Sequence, residues 1–247
     1  MRKQNLIAYL YKENNLINMH KRKILLLIGI ILLFSTPNFA EDWMQLYPEI
    51  DRPVAEMKFS QIPGISEWGL LFALPGNGGG LGYFDDTGQF NIYNFATNLG
   101  AVSVTPDNTN NRIFCTFGCG SNSDGLYEFD VNTQEFELVM WIDHPNFIKK
   151  LSSGYYFGNG WSWFGDLFHS TDGDDWVSID YFHNKVARDI EETSDGILFV
   201  AAGNEICIAN DTTFCSYNTG LPVNDIYIRH HPTEEVYIAI GDGSWSD

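Results

Sequence analysis

The chain has 247 residues, with 14 Lys and Arg against 32 Asp and Glu, a formal charge of −18 and 15% aromatic residues. This acidity excludes a protein that grips nucleic-acid backbones or anionic membrane surfaces, and an apolar content of 44% excludes a disordered acidic tail. Four Cys in this length do not make a disulfide-dense scaffold.

Residues 1–40 read as a secretory signal peptide. The basic patch Lys21-Arg22-Lys23 precedes an apolar helical run, Ile24 to Phe34, and a polar exit ending at Ala40. The run is about half the ~20 residues that a membrane span needs, so no permanent anchor is expected. Cleavage is placed after Ala40, with Asn38 an imperfect residue two positions earlier, and no nearby Cys offers a lipid attachment site. Met19 sits directly before the basic patch and is an alternative start of translation. Removing residues 1–40 takes away six basic residues and one acid, Glu13, leaving a charge of 8 − 31 = −23. The product is expected to be secreted, periplasmic or on the cell surface.

From residue 43 on, no window carries apolar residues at helical spacing for three turns. Short alternating or aromatic runs, broken by Gly, Asn, Asp and Pro, predict strands and turns. The strands come in fours: Met57–Phe95, Gly100–Trp141, Asn146–Asp180 and Lys185–Thr219, with a fifth copy starting at Val223 and showing only its first two strands. Anchors at Phe59, Val102, Ile148, Arg188 and Ile226 are 43, 46, 40 and 38 residues apart. A four-strand phrase at this period predicts an all-β fold, a β-propeller of about five blades over residues 43–247. A barrel or sandwich fits less well, because those folds repeat hairpins rather than quartets. The unfinished fifth copy leaves two readings: a Trp43–Ile50 strand that closes the ring, or, as favoured here, a C-terminally truncated piece of a larger ring.

Export makes local disulfides plausible, with Cys115 and Cys119 four apart and Cys207 and Cys215 eight apart. Four Cys allow three pairings, and buried free thiols are the alternative.

The segment Ser170-Thr171-Asp172-Gly173-Asp174-Asp175-Trp176 falls between the third and fourth strands of its blade. It resembles the Asp-box, or BNR repeat, Ser-x-Asp-x-Gly-x-Thr-Trp, although it is one residue short before the Trp and has Asp174 at the usual Gly position. Asp85–Gly88 and Asp130–Thr133 hold degenerate versions of the same turn. Gly220-Leu221-Pro222 is similar to the linker that precedes a new blade in sialidase-like and photosystem-assembly-factor-like propellers. The resemblance implies a propeller in which Ser170, Asp172, Gly173 and Trp176 build a structural turn remote from any catalytic centre.

A sialidase would need three Arg converging on a carboxylate. Beyond the leader the chain has four: Arg52, Arg112, Arg188 and Arg229. The Phe/Tyr-Arg-Ile-Pro signature of that family is missing, and Asp51-Arg52-Pro53-Val54 is its nearest echo. Other features favour bland readings. His230-His231 with Glu234-Glu235 reads as a solvated turn rather than a metal site, and Gly76–Gly80 lacks the Gly-Lys-Ser/Thr ending of a phosphate loop. Asp172, Asp174 and Asp175 lack the remaining ligands of a calcium loop. Trp161 and Trp163 are candidates for stacking on a sugar or for packing between blades, and Arg188 and Asp225 are candidates for the central channel. No cofactor and no resident metal is implied. The expected function is an exported, non-catalytic binding or scaffold module of a secreted or cell-surface protein, with a protein or glycan ligand; the alternative is a sialidase-like propeller glycoside hydrolase.

Overall fold

The computed structural model describes residues 54–241, except 77–78, 88, 96–99, 119–123, 162–163, 211–212 and 232. The expected leader, Met19, the Trp43–Ile50 segment, Arg52, Cys119 and Trp163 lie outside the described residues. Among the described residues no helix is long and apolar enough to cross a membrane.

The fold is a β-propeller. Its first sheet joins β1 (Glu56–Ile62), β2 (Ser66–Leu74), β3 (Gly80–Phe84) and β4 (Phe90–Asn94) in chain order. The second joins β5 (Ala101–Asp107), β6 (Arg112–Phe117), β7 (Gly125–Asp130) and β8 (Glu135–Trp141). The third joins β9 (Pro145–Leu151), β10 (Gly154–Asn159), β11 (Leu167–Ser170) and β12 (Val177–Ser178). The fourth joins β13 (Ala187–Glu192), β14 (Leu198–Ala202), β15 (Glu205–Asn210) and β16 (Thr213–Asn218), and the last pairs β17 (Val223–Arg229) with β18 (Glu235–Ile240). All pairings within the sheets are antiparallel. The five inner strands, β1, β5, β9, β13 and β17, pack side by side in that order.

Stacking blades face to face explains the composition. A middle strand is covered on both faces, so β6 (RIFCTF) and β10 (GYYFGN) are buried throughout instead of alternating. Rings fill the wedges between blades. Phe95 stacks on Phe117 at 4.3 Å, Phe114 meets Tyr155 edge-on at 5.2 Å, and Tyr181 stacks on Phe214 at 4.8 Å. Each such pair contributes roughly 0.5–1.5 kcal/mol beyond its buried area.

Four inner strands share one irregularity. The ladder skips Val102 in β5, Asn146 in β9, Arg188 in β13 and Asn224 in β17, each the second residue of its strand. These β-bulges turn the strand start and re-aim its side chains. The sequence anchors Val102 and Arg188 are bulge residues, while Ile148 and Ile226 lie two residues beyond theirs. In β1 the irregularity falls instead between Ser60 and Ile62. The end where inner strands begin is called the upper end below, and the opposite end the lower.

Of the two readings of the cysteines, the described residues follow that of free thiols. Cys115, Cys207 and Cys215 are free thiols. Cys207 pairs across the ladder with Ser216, and Ile208 with Cys215. Alternation therefore puts the two cysteines on opposite faces of the sheet, Cys207 buried and Cys215 exposed, where no S–S bond can join them. Cys115 is fully buried in the wedge between the first two blades, and burial pushes its thiol well above the usual range. Burial likewise pushes Cys207 up to about 11.

Candidate functional site

An inner strand is the edge of its sheet, so its unpaired N–H groups must find partners elsewhere. Here the preceding blade supplies them. Glu56 Oε2 accepts the Val104 N–H at 2.9 Å, Ser103 Oγ accepts the Ile148 N–H at 3.1 Å, and Asp189 Oδ2 accepts the Ile226 N–H at 2.8 Å. Between the third and fourth blades, where Phe147 holds the matching position, bulge residue Asn146 donates instead to the Ala187 carbonyl at 2.8 Å. The inner strands are thus sewn together by polar side chains near the axis.

The charged groups of this seam are paired within it. Lys58 Nζ donates to Thr105 Oγ1 at 2.7 Å and to the Ile148 carbonyl at 3.2 Å, and lies 3.2 Å from Glu56. Burial pushes its ammonium below the usual range, against the pull of Glu56. Lys149 bridges Asp189 and Glu191, at 2.6 Å to each. These two carboxylates outweigh burial and raise the Lys149 ammonium above its usual range. Asp189 faces a different balance. Its own burial, aided by the Asp225 carboxyl, overrides Lys149 and pushes it up to about 6. Asp225 Oδ1 shares the Ile226 N–H at 3.0 Å, so the two carboxyls converge on one donor.

Three connections of the second and third blades meet at the upper end. Asp124 closes the β6–β7 connection, Asp143 and His144 form the β8–β9 connection, and Trp161 stands at the tip of β10. Backbone bonds staple them: Ile142 N donates to Asp124 O at 3.3 Å, and Gly160 N to His144 O at 2.9 Å. Asn159 Nδ2 donates to Asp143 O at 3.0 Å. Trp161 and Phe164 exchange backbone bonds of 3.1 and 3.3 Å. The Trp161 ring lies 5.5 Å from the His144 imidazole and is 62% exposed. Among the described residues, Asp124, Asp143 and His144 form the cluster whose ligand atoms all stand within 4.8 Å of one another.

The remaining sequence candidates disperse. Arg188, a bulge residue, donates to the Gly203 carbonyl at 3.3 Å, and burial lowers its pKa. Arg112 on the second blade and Arg229 on the fifth each pair with a carboxylate of their own blade, Asp107 and Glu235. The three described arginines therefore do not gather around one point. His230 pairs with Glu234 at 2.9 Å, and Glu234 also accepts the Ser194 N–H from the neighbouring blade. Gly79 and Gly80 lead into β3 without a helix.

The Ser170–Trp176 turn organises itself. Asp172 Oδ1 accepts the Asp174 and Asp175 N–H groups at 2.9 and 3.2 Å, Ser170 Oγ accepts the Gly173 N–H, and Trp176 Nε1 donates to Gly173 O at 2.9 Å. Those amides hold the Asp172 carboxyl below the usual range. The turn then docks on the second blade. Arg112 Nη2 donates to Asp172 O at 2.8 Å, Nη1 lies 2.5 Å from Asp174, and Nε lies 2.9 Å from buried Asp107. Gly173 has a φ of +91°, and a Cβ there would lie 2.6 Å from the Phe114 ring. The Asp172 carboxylate serves the backbone, and the Asp174 carboxylate serves Arg112.

Of the residues gathered here, the sequence singles out Trp161 and Asp225 and does not mark Asp124, Asp143, His144, Glu56 or Lys58. The one local signal was the Asp143-His144-Pro145 run at the mouth of an inner strand.

No protein-family model matches the chain, and no curated protein does. Solved structures do. YCF48 bound to D1 peptide aligns at TM-score 0.52 and 12% identity, over 76% of this chain and 60% of that one. The extracellular domains of two hybrid two-component systems of B. thetaiotaomicron also align. BT3049 gives 0.52 at 12% identity over 76% of this chain, and BT4673 gives 0.51 at 14% over 78%. The chain spans 26% and 27% of those two domains. These likenesses establish the propeller fold.

Proposed function

We propose that the chain is an exported, non-catalytic propeller that binds an extended protein segment at its upper end, as part of a secreted or cell-surface protein. The observation that carries this reading is Trp161: a large, 62% exposed ring on a tip stapled to the rigid body. Such an anchored aromatic is what binding hot spots are made of, and connecting segments on a rigid scaffold are where recognition concentrates. The axial seam supports a non-catalytic role, because its lysines and carboxylates hold neighbouring blades together. YCF48 binds a peptide, and the two sensor domains are extracellular, which fits a binding role outside the cell. The run at Lys21–Ala40 carries the export reading.

The test is an array of extended peptides and of glycans probed with the purified protein and with Trp161→Ala. Peptide hits that Trp161→Ala loses support the proposal. Hits confined to glycans would replace it with sugar recognition by Trp161 and Trp163. Turnover of a chromogenic sialoside, abolished by Arg188→Met or Asp225→Asn, would establish the hydrolase alternative.

A further inference from the structure

We propose that Asp124, Asp143 and His144 bind a divalent transition-metal ion of the zinc class at the upper end. The three residues come from two connections and bring one ligand atom each within 4.8 Å of the others. Asp124 is fully buried, so its carboxylate is withdrawn from bulk water.

The His144 ring brings to the cluster a nitrogen that has no hydrogen-bond partner. Its Nδ1 lies 2.7 Å from Asp143 Oδ1. Yet Nδ1 is shielded from solvent and makes no hydrogen bond, because the oxygen lies off the direction in which the ring nitrogen points. Two atoms this close need a positive charge on or between them, which a proton on the imidazole or a metal ion supplies. An ion about 2.0–2.2 Å from each donor does so. Donors on a tetrahedral ion at that distance stand about 3.4 Å apart, so the longest separation, up to 4.8 Å, closes by a side-chain movement of about 1.4 Å.

The surroundings suit a metal site. Both connections are fixed from outside the cluster, through Asn159 and Gly160 to the main chain of Asp143 and His144, and through Ile142 to that of Asp124. Such outer contacts hold ligands ready. An imidazole with two carboxylates favours zinc, cobalt or manganese over calcium, which takes oxygen donors. Three protein ligands would leave a coordination position open, and the Trp161 ring lies 5.5 Å from the His144 imidazole.

The experiment titrates the full, metal-stripped protein with Co²⁺ and follows its visible absorption. The proposal expects one equivalent to bind at micromolar concentration or tighter, with d–d bands, no thiolate charge-transfer band, and displacement by Zn²⁺. Asp143→Asn and His144→Asn should each weaken binding at least about tenfold; Asn tolerates the left-handed backbone at His144, where φ is 51°. Circular dichroism checks that both variants fold. Cys215→Ser should leave the titration unchanged. Absence of saturable binding below millimolar Co²⁺ overturns the proposal, as does binding that both variants retain or that Cys215→Ser removes. Peptide capture enters none of these outcomes, so this site and the proposed function stand or fall separately.

Discussion

Replacing Arg112 by Met should cost far more than an ordinary ion-pair deletion. Arg112 is 7% exposed, and Asp107, its nearest buried partner, is 1% exposed. Burial alone would raise the Asp107 carboxyl. The Arg112 guanidinium, with Asn110, Tyr155 and the Thr109 N–H, reverses that and holds it below the usual range. Removing the guanidinium leaves the buried carboxylate with only the more distant Lys150, 3.9 Å away, as counter-charge and strips the Asp172 carbonyl of its donor. Breaking a buried pair from one side costs about 3–5 kcal/mol. For a body of this size each kcal/mol moves Tm by about 2–4 °C, so the melting point should fall on the order of 10 °C. Asp174→Asn, on a residue whose side chain is 66% exposed, should cost less than about 1 kcal/mol. Urea unfolding at pH 7, with a double-mutant cycle pairing Arg112→Met and Asp107→Asn, measures the coupling. A loss below 1 kcal/mol for Arg112→Met would show that this cluster is a solvated surface pair and that the Ser170–Trp176 turn is not docked through it.

Gly173→Ala should destabilise by about 2 kcal/mol or more, read by the same unfolding assay, because the left-handed backbone alone costs about 1–2 kcal/mol and the new Cβ meets the Phe114 ring. Asp189 gives a pH signature of opposite sign to Asp107. Its folded pKa lies above the unfolded one, so its contribution is fully present below about 4 and is lost as pH rises through about 6. Asp225→Asn, which removes the neighbouring like charge, should flatten that decline in urea midpoints taken from pH 4 to 7.5. A thiol reagent should label Cys215 in the native protein, and Cys115 and Cys207 only after unfolding. Peptide mapping without reductant should recover no Cys207–Cys215 link.

The blades were legible because stacking forces a phrase: buried central strands and turn residues return every time a blade does. Register was not legible. A single extra residue at Val102, Asn146, Arg188 or Asn224 shifts the alternation, and nothing local marks it, since an apolar Val, two Asn and a cationic Arg have no property in common. The unshifted β15–β16 register, which sets Cys207 opposite Ser216 and not Cys215, was equally unreadable from a spacing of eight residues. The Ser170–Trp176 turn was readable from its own Asp and Gly, whose bonds are local. Its partner Arg112 lies 60 residues earlier and carries no sign of that contact. The axial seam was hidden for the same reason: Glu56 serves an N–H 48 residues away. Asp124 and His144 meet because the β7–β8 ladder of the second blade, which pairs Gly125 with Trp141, runs on into the two connections through Ile142 N to Asp124 O.

Affinity for the best extended peptide, compared between the natural protein and Trp161→Ala, tests the binding account most directly. A hot-spot aromatic contributes at least about 2 kcal/mol, so Kd should rise roughly 30-fold or more. Tyr227→Ala, which removes an equally exposed ring from the fifth blade, should leave Kd within about twofold. An unchanged Kd in Trp161→Ala, or a loss seen instead in Tyr227→Ala, would place recognition elsewhere and contradict the account.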